Sequence, residues 1–449
     1  MRLPQELPAF IDLFAKGDLL ARLASSAEVN KIVMDANKDY LHWDRFRHKY
    51  TPPSGFDLAD IWRYLKILRM PLLRPLPLAS PEGERFRYSV PDCVHRDLVF
   101  VDQWAAGQFS ITEPQSLGSG ERDRYLVNSL MEEAITSSQL EGAAVTRREA
   151  KAMLRAGRKP RNVSERMILN NYRAILELRE LKHAPLTAEM IHYLHRIITQ
   201  DTLESPDQAG RFRHGDEKVQ VVDDRDGTIM YTPPPAARLG ERVERLCAFA
   251  NEKDGGPFIH PVVRAILLHF WLAYEHPYVD GNGRTARALF YWYLLRSGYW
   301  LMEYLSISAG LVTAYAQYAR AFLYTETDGG DTTYFVVFQL QVIRRALDAL
   351  RKYVTRKQRE AAEMVVLLKD WPGLNHRQQA LLRHALKHPG TIYTCKSHAN
   401  SHSVTLQTAR TDLRHLAKVG FLEGSSRGRQ LIFLAPADLD ARIRGRRRK

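Results

Sequence analysis

The chain has 449 residues, more than one ordinary domain of about 150 residues needs, and its 45% hydrophobic and 10% aromatic content excludes global disorder. A net charge of +14, from 65 Lys+Arg against 51 Asp+Glu, favours polyanionic partners such as nucleotides or nucleic acid. Three scattered cysteines, Cys93, Cys247 and Cys395, exclude a disulfide framework and a CxxC metal pair, and suit a reducing, cytoplasmic setting.

The first segment, "MRLPQELPAFIDLFAKG", carries acids and prolines where a signal peptide needs an apolar run. No stretch approaches the roughly 20 apolar residues of a membrane span, so no membrane partner is expected. "FDLADIWRYLKILRM", Phe56 to Met70, has helical spacing, and the proline-rich "PLLRPLPLASPEG" after it cannot continue the helix. Residues 1–115 therefore read as a helical N-terminal region with its lead-in. Residues 116–355 read as one large helical domain. It opens with a helix ending near Gly142, then "SERMILNNYRAILELRELKH" with Ser164 as N-cap and "TAEMIHYLHRIITQDT" with Thr187 as N-cap. "VQVVDDRDGTIMYTPPP" breaks the pattern: two β-rich runs around an Asp-Gly turn predict a hairpin. Further helices, "AARLGERVERLCAFANE", "PVVRAILLHFWLAYEHP" and "RTARALFYWYLLRSGY", follow, with two more helical stretches to about Val354.

Between the last two named helices lies "HPYVDGNGRTAR", His276 to Arg287. Gly281, Asn282 and Gly283 permit backbone conformations that other residues resist, and their N–H groups, at a helix start near Gly283, can make an anion-binding concavity. Arg284 and Arg287 are three apart and share a face of the first turn, where guanidinium groups suit bidentate phosphate recognition. His276 can accept a proton from a hydroxyl near neutral pH. Asp280 offers a hard oxygen ligand suited to phosphate-bound Mg²⁺. Together these are parts for moving a phosphoryl-type group from a di- or triphosphate onto a hydroxyl.

This segment resembles the signature of the Fic family, H-x-F-x-D/E-G-N-G-R-x-x-R, with Tyr278 at the aromatic position; the Tyr278 hydroxyl then needs a partner. The resemblance extends over about residues 100 to 350. It implies a helical fold and transfer of AMP from ATP, with Mg²⁺, to a Ser, Thr or Tyr hydroxyl of a protein, the chain itself included. It implies His276 as the base, Asp280 as the Mg²⁺ ligand, and Gly281, Asn282 and Gly283 as phosphate-binding groups. Arg284 would contact the α- and β-phosphates and Arg287 the γ-phosphate. The predicted hairpin, with Ile229, Met230, Tyr231 and Thr232, resembles the family's flap, which pairs with the target segment as an added strand. "DQAGRFRHG", with Gly210 and Arg213, resembles the stretch before that flap. "SSQLEG", with Ser137, Glu141 and Gly142, resembles the family's inhibitory motif, whose glutamate pairs with the second motif arginine, here Arg287, and blocks the γ-phosphate. Ser137 and Glu141 are four apart and face one way on a helix.

Residues 356–449 change character. Residues 372–435 read as a winged helix-turn-helix. "TLQTARTDLRHLAKVGFL" is its recognition helix, capped by Thr405, with Thr408, Arg410, Thr411 and Arg414 on exposed faces. The "GSSRGRQ" wing brings Arg427 and Arg429. The basic tail "ARIRGRRRK" is expected to be solvated and disordered. DNA binding and a module that never touches DNA both stay open here. His192 and His195 form HxxH on a helix without a third ligand, which favours packing over metal.

The expected fold class is thus mainly α: a helical Fic core with a small β-hairpin flap, a helical N-terminal region and a C-terminal winged helix-turn-helix. The expected function is an autoinhibited protein adenylyltransferase. The alternatives are a DNA-binding transcriptional regulator with a nucleotide-sensing core, or a Fic enzyme that uses another nucleotide or removes AMP. Expected partners are ATP, a protein target the sequence does not identify, and DNA through the C-terminal module; a homodimer is left open.

Overall fold

A computed structural model of the chain describes residues 3–8, 17–106, 119–217, 219–222, 227–369, 371, 373–427 and 430–447. Their contacts divide the chain into two compact units, Met1–Gln108 with Asn128–Asp348, and Phe109–Val127 with Ala349–Lys449. The expected boundary at 355/356 falls inside a continuous helix, and the one at 115/116 lies outside the described residues.

The first unit begins with α1 (Leu19–Ser25), α2 (Ala27–Lys38), α3 (Trp43–Lys49) and α4 (Leu58–Arg69). They close over a core of Leu23, Val33, Phe46, Ile61, Trp62 and Leu65. The proline-rich stretch after α4 is more than a joint. It forms β1 (Arg74–Ala79), antiparallel to β2 (Arg85–Tyr88), with Pro75 opposite Arg87. The ribbon tolerates prolines in β1 because that strand is an edge, whereas Arg87 of β2 bonds on its outer side to Gly330 and Thr332. α5 (Asp92–Val101) follows.

The helices that hold the site are α6 (Ser119–Leu140), α7 (Arg147–Ala156), α8 (Val163–Leu181), α9 (Ala188–Thr199), α10 (Leu239–Ala250), α11 (Pro261–Glu275) and α12 (Asn282–Arg296). Thr187 caps α9 as expected, accepting from the Met190 N–H. α8 starts two residues earlier than expected. Asn162 is its N-cap, accepting from the Glu165 N–H, while Ser164 accepts from the Ala144 N–H instead. The hairpin is short, β3 (Val221–Val222) against β4 (Ile229–Tyr231), and its tip lies outside the described residues. α11 is apolar almost all round and buried along its length, which makes it the central helix of the unit. α12 packs against it, and also against α8 and α9. α13 (Ile307–Thr313), α14 (Tyr315–Thr327) and α15 (Thr333–Lys369) complete the series.

The second unit contains α16 (His376–Lys387), β5 (Ile392–Thr394), α17 (Cys395–His402), α18 (Leu406–Lys418), β6 (Glu423–Arg427), β7 (Gln430–Leu434) and α19 (Leu439–Arg447). The sheet order is β5-β7-β6, all antiparallel. The expectation of a disordered tail fails over α19. Leu439 and Ile443, four apart, enter the unit's core, and Asp440 pairs with Arg444 at 2.7 Å. Among the described residues, no helix is long and apolar enough to cross a membrane.

Candidate active site

The turn between α11 and α12 carries His276 to Arg287. His276 closes α11 in the left-handed region, at φ 46°, ψ 55°. Its Nδ1 lies 3.3 Å from the Ala273 carbonyl, which can only accept, so in the neutral ring Nδ1 carries the hydrogen and Nε2 keeps its lone pair. Burial lowers its pKa below the ordinary histidine value, which keeps the ring neutral and ready to take a proton.

Gly281 caps α12 at φ 83°; a Cβ there would meet Thr199 Cγ2 at 2.7 Å and His195 Nε2 at 3.3 Å. Asn282 is a clip. Its Oδ1 accepts from the Tyr278 N–H at 2.9 Å, and its Nδ2 donates to the Tyr278 carbonyl at 2.8 Å. With its side chain so engaged, what Asn282 offers an anion is a backbone N–H in the first turn of α12. Arg284 is fully buried and donates to the Ile198 carbonyl at 3.2 Å and to Asp280 Oδ2 at 3.3 Å; its Nε has no hydrogen-bond partner among the described residues. A buried guanidinium with a spare donor at a helix N-terminus is suited to an anion.

α6 brings Ser137 and Glu141 to the same place. Arg287, 4% exposed, donates through Nε to Ser137 Oγ and through Nη2 to the Ser137 carbonyl, both at 2.8 Å. Its Nη2 also reaches Glu141 Oε1 at 2.9 Å. Burial pushes the Glu141 carboxyl up, but the Arg287 and then Arg284 charges outweigh it and hold its pKa below the ordinary value. The carboxylate lies directly over α12's first turn: a Cβ on Gly283 would collide with Glu141 Oε1. Gly142, at φ 88°, ends the helix.

Other residues brace this turn. Arg213 donates its N–H to the Pro277 carbonyl and its Nε to the His276 carbonyl, both at 2.9 Å, and its Nη2 to the Pro234 carbonyl. The Tyr278 hydroxyl finds its partner in His192 Nδ1, 3.0 Å away. His195 stacks on Tyr278 with centroids 3.7 Å apart. The two histidines of HxxH therefore sit on the motif tyrosine; among the described residues no group of three or more His, Cys, Asp or Glu could hold a metal. The HxxH spacing is visible in sequence, but its partners Asp280 and Tyr278 lie 85 and 86 residues away.

A cavity of about 650 Å³ opens beside this turn, within the range of small-molecule pockets. Glu141, His276 and Gly283 line it with Met230 and Tyr231 of the hairpin, and α14 adds Tyr315, Tyr318, Phe322 and Glu326. The Tyr231 hydroxyl donates to the Tyr274 carbonyl at 2.8 Å, while Ile229 is half exposed and Thr232, exposed, lies beyond the strand. In the second unit, Arg410, Thr411 and Arg414 are exposed on α18, Thr408 is half-buried beside Thr405, and Arg427 ends β6. Arg429 lies outside the described residues.

Residues 185–294 match the model of the Fic/DOC family. A protein adenylyltransferase Fic of Drosophila willistoni is 26% identical over 243 residues, 45% of this chain and 47% of that protein. The protein of the same description from Drosophila melanogaster is 36% identical over 114 residues, 25% of this chain and 21% of that protein. The chain thus spans about half the length of the curated relatives it matches, or less. The crystal structure of a Fic family protein from Desulfovibrio desulfuricans G20 superposes with a TM-score of 0.53 at 18% identity, covering 78% of this chain and 98% of that one. The matched segment contains the whole turn from His276 to Arg287, so residues 185–294 of the chain form a Fic/DOC family domain.

Proposed function

We propose that the chain is a protein adenylyltransferase that holds itself inactive. It transfers AMP from ATP to a Ser, Thr or Tyr hydroxyl of a protein, itself included, and releases diphosphate. The observation that carries the reading is one cavity lined by a proton acceptor, the first turn of α12 and a carboxylate, Glu141, that pairs with the buried Arg287. His276 takes the proton of the incoming hydroxyl through Nε2. The oxygen attacks the α-phosphorus, and the bond to the bridging oxygen of the leaving diphosphate breaks. Backbone N–H groups of Asn282 and Gly283, with Arg284 and Arg287, hold the phosphates.

Asp280 fits the Mg²⁺ that such a reaction uses. A single carboxylate, half exposed, beside the cradle matches an ion that binds mainly through substrate phosphates and water. When bound with ATP, the ion supplies positive charge that offsets the charge of the departing diphosphate. The Glu141 carboxylate occupies the place of a phosphate on Arg287, and Ser137 holds that arginine toward it, which supports self-inhibition. The hairpin edge, beside the cavity, would receive the target backbone.

Incubation of the full chain with ATP and Mg²⁺, followed by mass spectrometry, tests this. Glu141→Gly should raise self-labelling by about tenfold or more, on the scale of one freed phosphate contact, and His276→Ala in that background should abolish it. An unlabelled Glu141→Gly chain, or labelling that survives the loss of His276, overturns the reading.

We further propose that the second unit is a winged helix-turn-helix, on its helix order and its three-stranded sheet, and that α18 contacts DNA. The exposed row of Arg410, Thr411 and Arg414 supports this reading over a purely structural module. A cytoplasmic setting, from the three free cysteines, belongs to the same proposal.

A further inference from the structure

His195 is a fully buried ring in the middle of α9 whose two nitrogens serve two different loops. The Gly210 N–H lies 2.9 Å from Nδ1, so Nδ1 must accept. Nε2 then carries the ring's hydrogen and donates it to the Asp280 carbonyl, 2.8 Å away. The other face of that peptide matters as much. Its N–H, on Gly281, donates to Asp280 Oδ1 at 2.5 Å. One peptide plane therefore ties the imidazole to the direction of the Asp280 carboxylate. Gly281 stands at φ 83°, in a region where glycine has alternatives on both sides, so rotation of this plane is the motion open to the turn.

The ring's surroundings prevent that motion. It stacks on Tyr278 with planes 8° apart. His192 holds the Tyr278 hydroxyl, and Asn282 holds the Tyr278 backbone. Gly281 approaches His195 Nε2 so closely that a Cβ would sit 3.3 Å from it. A buried histidine needs a partner for each ring nitrogen. This one joins Gly210, which precedes the Arg213 strap, to the motif turn.

We propose that His195 is a positioning residue that locks the Asp280–Gly281 peptide and thereby aims the Asp280 carboxylate at the phosphate cradle. The proposal rests on the adenylyltransferase reading for its kinetic consequence, though not for its structural one. The test uses two amides in the full-length Glu141→Gly chain. The Gln side chain reaches the position of Nε2 and can donate to the Asp280 carbonyl. The Asn side chain reaches the position of Nδ1 and can accept from Gly210 alone. His195→Gln should keep transfer within about threefold of its parent. His195→Asn should lose about tenfold or more, and its half-saturating Mg²⁺ concentration should rise by a similar factor, the usual scale for partners behind a metal ligand. Independently of activity, hydrogen exchange over residues 278–287 should accelerate in His195→Asn and not in His195→Gln. Equal losses in both variants, or losses that only follow melting temperature, make His195 a packing residue and overturn the proposal. If the Glu141→Gly parent transfers no AMP, the adenylyltransferase reading fails, and the exchange pattern still decides the role of His195.

Discussion

Glu326 lines the cavity from α14 without a hydrogen-bond or ion-pair partner among the described residues, and burial pushes its pKa up to about 8. The folded chain therefore keeps a proton that the unfolded chain releases near the ordinary value of 4.5. Between those two values stability falls as pH rises, by about 1.4 kcal/mol per unit at most. Glu326→Gln should flatten that fall, so the gap between the variant's denaturation midpoint and the wild type's should widen from pH 5 to pH 8; parallel curves would remove Glu326 as the source. Nothing in the sequence marked Glu326, because its significance comes from aromatic neighbours on other elements. His276, Asp280, Arg284 and Arg287 were legible because the turn that unites them is local. Ser137 and Glu141 were legible as a pair on one helical face, while their partner Arg287 followed only from the family resemblance. His195 was visible as a spacing and illegible as a function, since both of its partners arrive by folding.

At the scale of elements, α6 is the piece on which the proposed inhibition depends, and a buried carboxylate anchors it. Glu133, 3% exposed, accepts from the Ser306 hydroxyl and the Ser308 N–H at 3.0 Å each, beside the start of α13. Thr136 lies 3.2 Å from the same Ser306 hydroxyl. Glu133→Ala leaves that N–H unpaired, at a cost of about 1–3 kcal/mol. It should lower the melting temperature and raise self-labelling, because Ser137 and Glu141 ride on the loosened helix. A destabilised chain with unchanged labelling would show that the Arg287 contacts hold α6 by themselves. Helix periods predicted α9, α11, α12 and α18 well, and Thr187 and Thr405 as their caps held for α9 and α18. The β1–β2 ribbon escaped because prolines argue against strands except at edges, and edges are set by the sheet rather than by the strand. α19 escaped because six cations mask two apolar residues spaced one turn apart.

At the scale of the molecule, each unit has its own polar centre. In the first, Lys66 reaches Asp328 at 2.8 Å, Tyr334 donates to the same Asp328 at 2.6 Å, and Tyr40 donates to Asp331 at 2.8 Å. These bonds join the N-terminal helices to the turn between α14 and α15, which sequence reading had assigned to separate domains. In the second, Asp412 on the buried face of α18 takes Arg377 Nε at 2.7 Å and Asn375 Nδ2 at 2.7 Å, and lies 3.3 Å from His398 Nε2. That cluster fixes α18 with Arg410 and Arg414 facing outward. If the outward face meets DNA, the full chain's affinity for a duplex should drop about 10- to 100-fold between 50 and 200 mM salt. Arg414→Ala should reduce the slope of that dependence by about one contact. Salt-independent affinity, or a variant that binds like wild type, would leave α18 as a structural or protein-binding helix.

The backbone of His276 carries a cost of its own. A left-handed residue with a Cβ is disfavoured by about 1–2 kcal/mol, a penalty glycine escapes. His276→Gly should therefore melt above His276→Ala by about 1 kcal/mol, both without transfer, and an equal or reversed order would show that the bend is relaxed. A library of this gene sorted only for heat resistance would drift toward glycine at position 276. It would reward a sturdier chain that had lost its imidazole.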